Sequence, residues 1–320
     1  VSTGEKFVQL LIVIGLFVAV MAVVLVLTSR VRSRIGEVLQ TAAFLLPAVA
    51  LLALGLLYPA IRTIIESFRD RASREWVGLE NYRTIFTDDA LLQVLRNTAV
   101  WVLVTPVLAT VIGLVYAVLV DRARFERFAK ALMFMPMAIS LVGASLIWKF
   151  VYAYRETGAA QIGVGNQILK GLGFDTYRFI STEPWNTLFL IVVMIWVQAG
   201  FAMTILSAAI KAVPDDIVEA ARLDGVSGWR MFRYITVPSI RPSLIVVLTT
   251  ITIATLKVFD IVRTMTGGNF GTSVLAYEFY SQGFRAFNNG LGAALAVLLF
   301  VLVIPIVAYN VRQMRKVEAR

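Results

Sequence analysis

The chain has 320 residues, 59% of them hydrophobic, and a mean hydropathy of +0.80, far above that of an ordinary soluble domain. With no cysteine and no histidine, a disulfide framework, thiolate chemistry and any imidazole base or ligand are excluded. The net charge of +10 collects in short segments between apolar blocks, which is a membrane-protein distribution and not that of a nucleic-acid binder.

Seven apolar blocks predict an all-α polytopic membrane protein with seven transmembrane helices, at 8–28, 42–61, 98–120, 131–152, 187–210, 242–262 and 291–309. The first block lacks a small-residue cleavage site and is followed at once by Arg30, Arg32 and Arg34, so it is expected to be a retained span. Residues 1–40 are therefore an extra N-terminal helix with its link, and 41–320 the main transmembrane domain. Pro47, Pro59, Pro106, Pro136 and Pro305 fall inside the later blocks and predict bends.

Charge counting gives the direction. Segments 29–41, 121–130, 211–241 and 310–320 hold 16 Lys and Arg against 8 Asp and Glu, whereas 62–97, 153–186 and 263–290 hold 11 against 10. The first set is expected in the cytoplasm, which puts the N-terminus outside and the C-terminus inside.

The segments on the expected outer side are more than turns. Asp88-Asp89 leads into a helix-like run in the first, and Trp76, Tyr82, Phe86, Tyr154, Tyr177 and Trp185 read as interface anchors. The glycine-rich stretches at 163–166 and 267–273 lack the lysine and the strand context of a phosphate-binding loop, so neither is expected to hold nucleotide.

The segment 211–241 is the longest on the expected cytoplasmic side. It predicts two short amphipathic helices: Asp216 as N-cap with Glu219 completing a capping box, Gly225 as the turn, and Ser227 capping a second helix that Pro238 stops. Ile217, Ala220 and Ala221 share one face of the first, and Trp229, Phe232 and Ile235 one side of the second. An interfacial helix lying flat on the membrane is the simpler alternative, but it needs no glycine hinge.

These residues resemble a known family. Glu219-Ala220-Ala221, then Asp224-Gly225, then Ile235, Val237 and Pro238 follow the signature loop of ABC importer permeases, with Val237 where the family usually has leucine. Residues 196–214 and 256–268 look like the larger permease subunit of maltose-type carbohydrate importers, and 135–155 is most like the α-glucoside branch. The resemblance spans about 45–312. It implies that the loop is a coupling helix seated on a cytoplasmic ATPase, through Glu219, Ala220, Ala221, Asp224, Gly225, Trp229, Phe232 and Pro238.

It implies as partners a second permease subunit, an ATP-binding subunit dimer and an extracytoplasmic solute-binding protein, in a bacterial or archaeal plasma membrane. The chain itself is expected to bind no cofactor, metal or nucleic acid and to catalyse nothing, with ATP and Mg used by the partner ATPase.

Ionisable groups deep in apolar blocks mark the expected solute path. Lys257 and Asp260 stand at i,i+3, on one face if 242–262 is one helix, either as a structural ion pair or as a polar wall for a hydroxylated solute. Gln198 and Gly200 lie mid-span in 187–210, where an amide needs a partner and a glycine opens room. By the resemblance, Gly200, Met203 and Lys257 match sugar-contacting positions. Lys149 reads as a snorkelling side chain.

The expected function is ATP-driven uptake of a sugar, an α-glucoside such as maltose or trehalose. An ion-coupled secondary transporter would carry an inverted repeat, and no matched halves are visible. A non-transporting scaffold has no use for charge inside 242–262.

Overall fold

The computed structural model describes residues 3–29, 34–121, 124–156 and 159–318. Its regular elements are helical, with one isolated β-bridge between Arg69 and Trp76. The chain divides into two compact units, Val1–Ile65 and Glu66–Arg320.

In the first unit, α1 (Thr3–Ser29) is continuous across the expected first span and packs on α2 (Arg34–Leu52). The expected link residues Arg30 and Arg32 lie outside the described residues. A π-helical turn, Ala53–Leu57, leads into α3 (Tyr58–Glu66), with Pro59 second in that helix. A proline ring clashes with the carbonyl four residues back in a regular α-helix, and the wider turn moves that carbonyl away.

The second unit begins with α4 (Glu80–Thr87), α5 (Asp89–Val120), α6 (Glu126–Phe134), α7 (Leu141–Val151), α8 (Val164–Gly171) and α9 (Asn186–Lys211). It continues with α10 (Asp215–Leu223), α11 (Gly228–Met231), α12 (Val237–Ser239), α13 (Arg241–Leu256), α14 (Asp260–Met265), α15 (Leu275–Tyr280) and α16 (Asn289–Glu318). α9 is the central helix: 56% of its apolar window is buried, against 33% for α5 and 28% for α16.

Among the described residues four helices are long and apolar enough to cross a membrane: Phe44–Glu66, Asp89–Val120, Asn186–Lys211 and Asn289–Gln313. Two bent pairs raise the number to six if each is one span. The expected helix 131–152 is one of them, bent by 104° between Glu126–Ala138 and Leu141–Val151. Pro136 starts a 3-10 turn there, and Ser140 restarts the helix by accepting the Gly143 N–H at 3.1 Å. The other pair, Gly228–Ser239 and Arg241–Leu256, bends by 70°.

α5 shows how the sequence sorts its faces. Trp101, Thr105, Ala109, Gly113 and Ala117, four apart, are buried, while Leu103, Val107, Val111, Val115 and Leu119 form an exposed stripe. Small residues let backbones approach and large apolar ones suit lipid. At Gly113 a β-carbon would lie 2.7 Å from the Met203 amide nitrogen, so α5 and α9 touch almost backbone to backbone. Asp88 caps α5 by accepting the Leu91 N–H at 3.0 Å, as Asp88-Asp89 suggests. The helix starts well before the expected span.

The loops at the N-terminal end of α5 and α9 are strapped down by amides. Asn97 donates to the carbonyls of Gly271 and Ser273 at 2.6 and 2.9 Å, and Asn186 to that of Phe270 at 2.7 Å. The glycine-rich run 267–271 is thus a structural strap. Asn166 does the same in the other glycine-rich stretch, donating to Ala153 and Tyr177 carbonyls and accepting the Tyr177 N–H. In 66–77, Phe68 stacks on Trp76, and the N–H groups of Glu75 and Arg74 hold the Asp70 carboxyl below the usual carboxylate range.

Candidate coupling surface and solute path

The segment after α9 forms a helical hairpin. α10 begins at Asp215 behind Pro214, whose extended backbone (φ −57°, ψ 136°) is that of a cap. Asp216, expected as the N-cap of a capping box with Glu219, instead lies inside the first turn, and no side chain caps this end. Proline fixes the extended entry one residue earlier than a side-chain cap would, and Asp215 and Asp216 then face the positive end of the helix dipole.

The C-terminus closes as expected. Gly225 takes φ +77°, its N–H bonds the Arg222 carbonyl at 3.0 Å, and the Val226 N–H bonds that of Ala221 at 2.9 Å. This is the Schellman arrangement, which needs a left-handed residue at that position.

Ser227 has the extended conformation of a cap but no capping hydrogen bond. After α11 the chain widens into a π-helical turn, Phe232–Thr236, closed by the Val237 N–H on the Phe232 carbonyl. Pro238, expected to stop the helix, sits second in α12; the turn absorbs it, and the chain breaks two residues later at the buried Ile240. The sequence X-Pro after a π-turn repeats what Tyr58-Pro59 does in the first unit.

The hairpin leaves apolar side chains uncovered: Leu223 is 89% exposed and Trp229 73%, and Ile217, Ala220 and Tyr234 are also exposed. Glu219, Asp224 and Gly225 share that surface, while Ala221 is buried beneath it and Phe232, 5.1 Å from the Trp229 ring, is half-buried. Ala221 therefore leaves the expected ridge, and Leu223 and Tyr234 join it. The step of three from Ile217 through Ala220 carried the signal for Leu223.

The candidate path residues divide. Gly200 is buried against the Met133 carbonyl oxygen, which fills the room a glycine was expected to open, and Met203 is 1% exposed in the core between α5 and α9. Gln198 and Asp260 are half-exposed and Lys257 is exposed.

Lys257 and Asp260 do not share a helix face. α13 ends at Leu256 with Lys257 as its C-cap, and Asp260 starts α14. Neither side chain makes an ion pair or hydrogen bond among the described residues.

Packing breaks the helix. Phe259 lies 5.1 Å from Tyr280 and 6.0 Å from Tyr277, and Arg263 sits over the Phe259 and Tyr280 rings at 5.3 and 4.6 Å. Lys149, expected to snorkel, donates to the Thr264 carbonyl at the end of α14, 3.1 Å away.

Residues 93–317 match the family described as the binding-protein-dependent transport system inner membrane component. The chain belongs to this family. It is a permease subunit of an ABC importer and not a catalytic subunit. The permease is 46% identical over 275 residues to the osmoprotective compounds uptake permease protein GgtC of Synechocystis sp., covering 86% of this chain and 99% of that one. It is 45% identical over 280 residues to the alpha-glucoside transport system permease protein AglF of Rhizobium meliloti, covering 87% and 83%. Its fold matches a chain of a bacterial ABC transporter involved in the import of the acidic polysaccharide alginate, with a TM-score of 0.74, 21% identity, and coverage of 89% of this chain and 99% of that one.

Proposed function

We propose that the permease forms one half of a heterodimeric pore for an α-glucoside, with the 215–239 hairpin docked on a cytoplasmic ATPase. Sugar import is supported by relatives that include alpha-glucoside and trehalose/maltose permeases. The α-glucoside assignment is supported by the 45% identity to an alpha-glucoside permease over most of both chains.

The exposed apolar hairpin is the observation that carries the mechanism. Leu223 and Trp229 are large apolar side chains left in the open, as a surface that a partner covers would have them. Closure of an ATP-binding subunit dimer on it would drive the bundle between outward- and inward-open states, and the differential contacts in the two states supply the shift. A second permease subunit completes the pore, and an extracytoplasmic solute-binding protein delivers the sugar. In this reading the N-terminus is outside, the C-terminus inside, and α1 is a seventh span.

Solute passes the accessible groups Gln198, Lys257 and Asp260, which offer hydrogen bonds to its hydroxyls. Gly200 and Met203 set the helix spacing behind them. The test is uptake of radiolabelled maltose and trehalose, measured beside membrane abundance, for the wild type, Glu219→Arg and Gly225→Pro. Uptake is expected in the wild type and lost in both variants at equal abundance. Wild-type uptake by either variant refutes the coupling surface, and no α-glucoside uptake in the wild-type complex refutes the substrate assignment.

A further inference from the structure

Four charged groups and a hydroxyl meet where α5, α6 and α9 come together. The Asp121 carboxylate, just past α5, lies 2.8 Å from Lys130 Nζ on α6 and 3.6 Å from Lys211 Nζ at the end of α9. Glu126, which opens α6, lies 2.8 Å from Lys130 Nζ and also pairs with Lys211. Ser207 on α9 donates to Asp121 at 3.0 Å and accepts from Lys130.

Among the described residues two anions face two cations here, and the shielded Asp121 carboxylate, 9% exposed, is paired. The Tyr116 hydroxyl separately donates to the Ala129 carbonyl at 2.9 Å. α5 and α6 are thus held together twice over, while α9 joins them through Ser207 and Lys211.

The same cluster faces α10 across a cavity of about 370 Å³. Val118, Asp121 and Lys211 line one side, and Asp215, Arg222 and Phe232 the other. Asp215, Val218 and Arg222 fall on one face of α10 by their spacing, the face turned from the exposed Leu223. Neither Asp215 nor Arg222 makes an ion pair among the described residues, and both are exposed. Each wall of the cavity therefore carries one carboxylate and one cation, with one wall paired and the other waiting.

We propose that Asp121, Lys211, Asp215 and Arg222 are an exchanging ion-pair set that positions α10 and transmits its movement to α9. When an ATPase presses on the outer face of α10 the cavity closes, Arg222 moves onto Asp121, and Asp215 takes Lys211. Lys130 keeps Asp121 and Glu126, so the carboxylates at the α5–α6 junction stay paired throughout. As Lys211 changes partner, α9 loses its charged tie to Asp121 and Glu126 and keeps the one through Ser207. The closed arrangement pairs Asp215 and Arg222, which the open one leaves exposed, so the two arrangements are discrete and a small push can switch between them. The inference rests on the reading that the hairpin docks an ATPase.

The experiment uses the complete reconstituted importer and reads solute imported per ATP hydrolysed, with ATPase copurification as a separate measure. Arg222→Met is expected to keep copurification and hydrolysis while imported solute per ATP falls at least about fivefold, the scale of a coupling free energy, and Arg222→Lys to restore it. Lys211→Met, at a half-exposed side chain, is expected to uncouple in the same way. The permease has no cysteine, so Val118→Cys with Met231→Cys gives a clean pair across the cavity, and its cross-linking is expected to rise with ATP and vanadate.

Uptake and hydrolysis that fall in proportion, or both unchanged, overturn the exchange, as does a cross-linking yield that ATP does not alter. Loss of copurification in Arg222→Met alone also overturns it, because Arg222 would then belong to the docking face. An ATPase that fails to copurify with the wild-type permease removes the docking reading itself, and the exchange with it.

Discussion

Gly200 on α9 lies so close to the Met133 carbonyl oxygen that a β-carbon there would overlap it. Backbone cannot yield as a flexible side chain can, so the contact fixes how α9 crosses the bend after α6. Gly200→Ala is expected to cost about 1–3 kcal/mol as overpacking, and Gly200→Val more. Thermal unfolding of the detergent-solubilised protein checks this. A melting curve unchanged in Gly200→Val would show that this position is slack and would reopen it as part of the solute path.

Lys257 and Asp260 are separated by the end of α13 and form no ion pair among the described residues. Lys257→Met therefore leaves no carboxylate stranded, and membrane abundance is expected to stay within about twofold of wild type, as for other exposed substitutions. Sugar selectivity should change, because a strong donor is lost from the proposed path. Competition between labelled maltose and unlabelled sugars measures it, and an unaltered competition profile removes Lys257 from the path.

The π-turn before Pro238 has its own signature. Pro238→Ala restores a backbone N–H and lets the segment tighten to regular α-helix, a change of register that turns the preceding residues by about 100° around the axis. Trp229 then leaves the exposed face. Uptake is expected to fall severalfold at unchanged abundance, and wild-type uptake would show that the widened turn has no part in coupling.

Orientation follows from charge and is open to direct chemistry, since the natural chain has no thiol. With an impermeant thiol reagent on intact cells, Ser2→Cys is expected to react and Glu318→Cys to be protected. Ser2 lies outside the described residues, whereas Glu318 ends α16. The reverse pattern would invert the topology and move the hairpin to the wrong side for an ATPase.

The legible features were those fixed by nearby residues. Gly225 closes α10 because the left-handed turn is a local demand, and Asp88 caps α5 for the same reason. What the sequence could not show depends on distant partners. Nothing in Leu256-Lys257-Val258-Phe259-Asp260 breaks a helix by propensity; the aromatic packing of Phe259 on Tyr277 and Tyr280 does. Gly200 reads equally as space for a solute or for a helix until the Met133 carbonyl is found beside it. The early start of α10 came from Pro214 outcompeting a side-chain cap, a contest between two adjacent signals of similar strength.

The two opposed stripes of α5 also restrict how the bundle can move. Rolling this helix about its own axis would carry Leu103, Val111 and Leu119 into a seam built for Ala109 and Gly113, and would turn Thr105 toward lipid. Both outcomes are costly, so rotation about the long axis is frozen out. Tilting and sliding, which keep each stripe in its own medium, are the freedoms left to it, and any cycle of opening and closing has to be composed from those two.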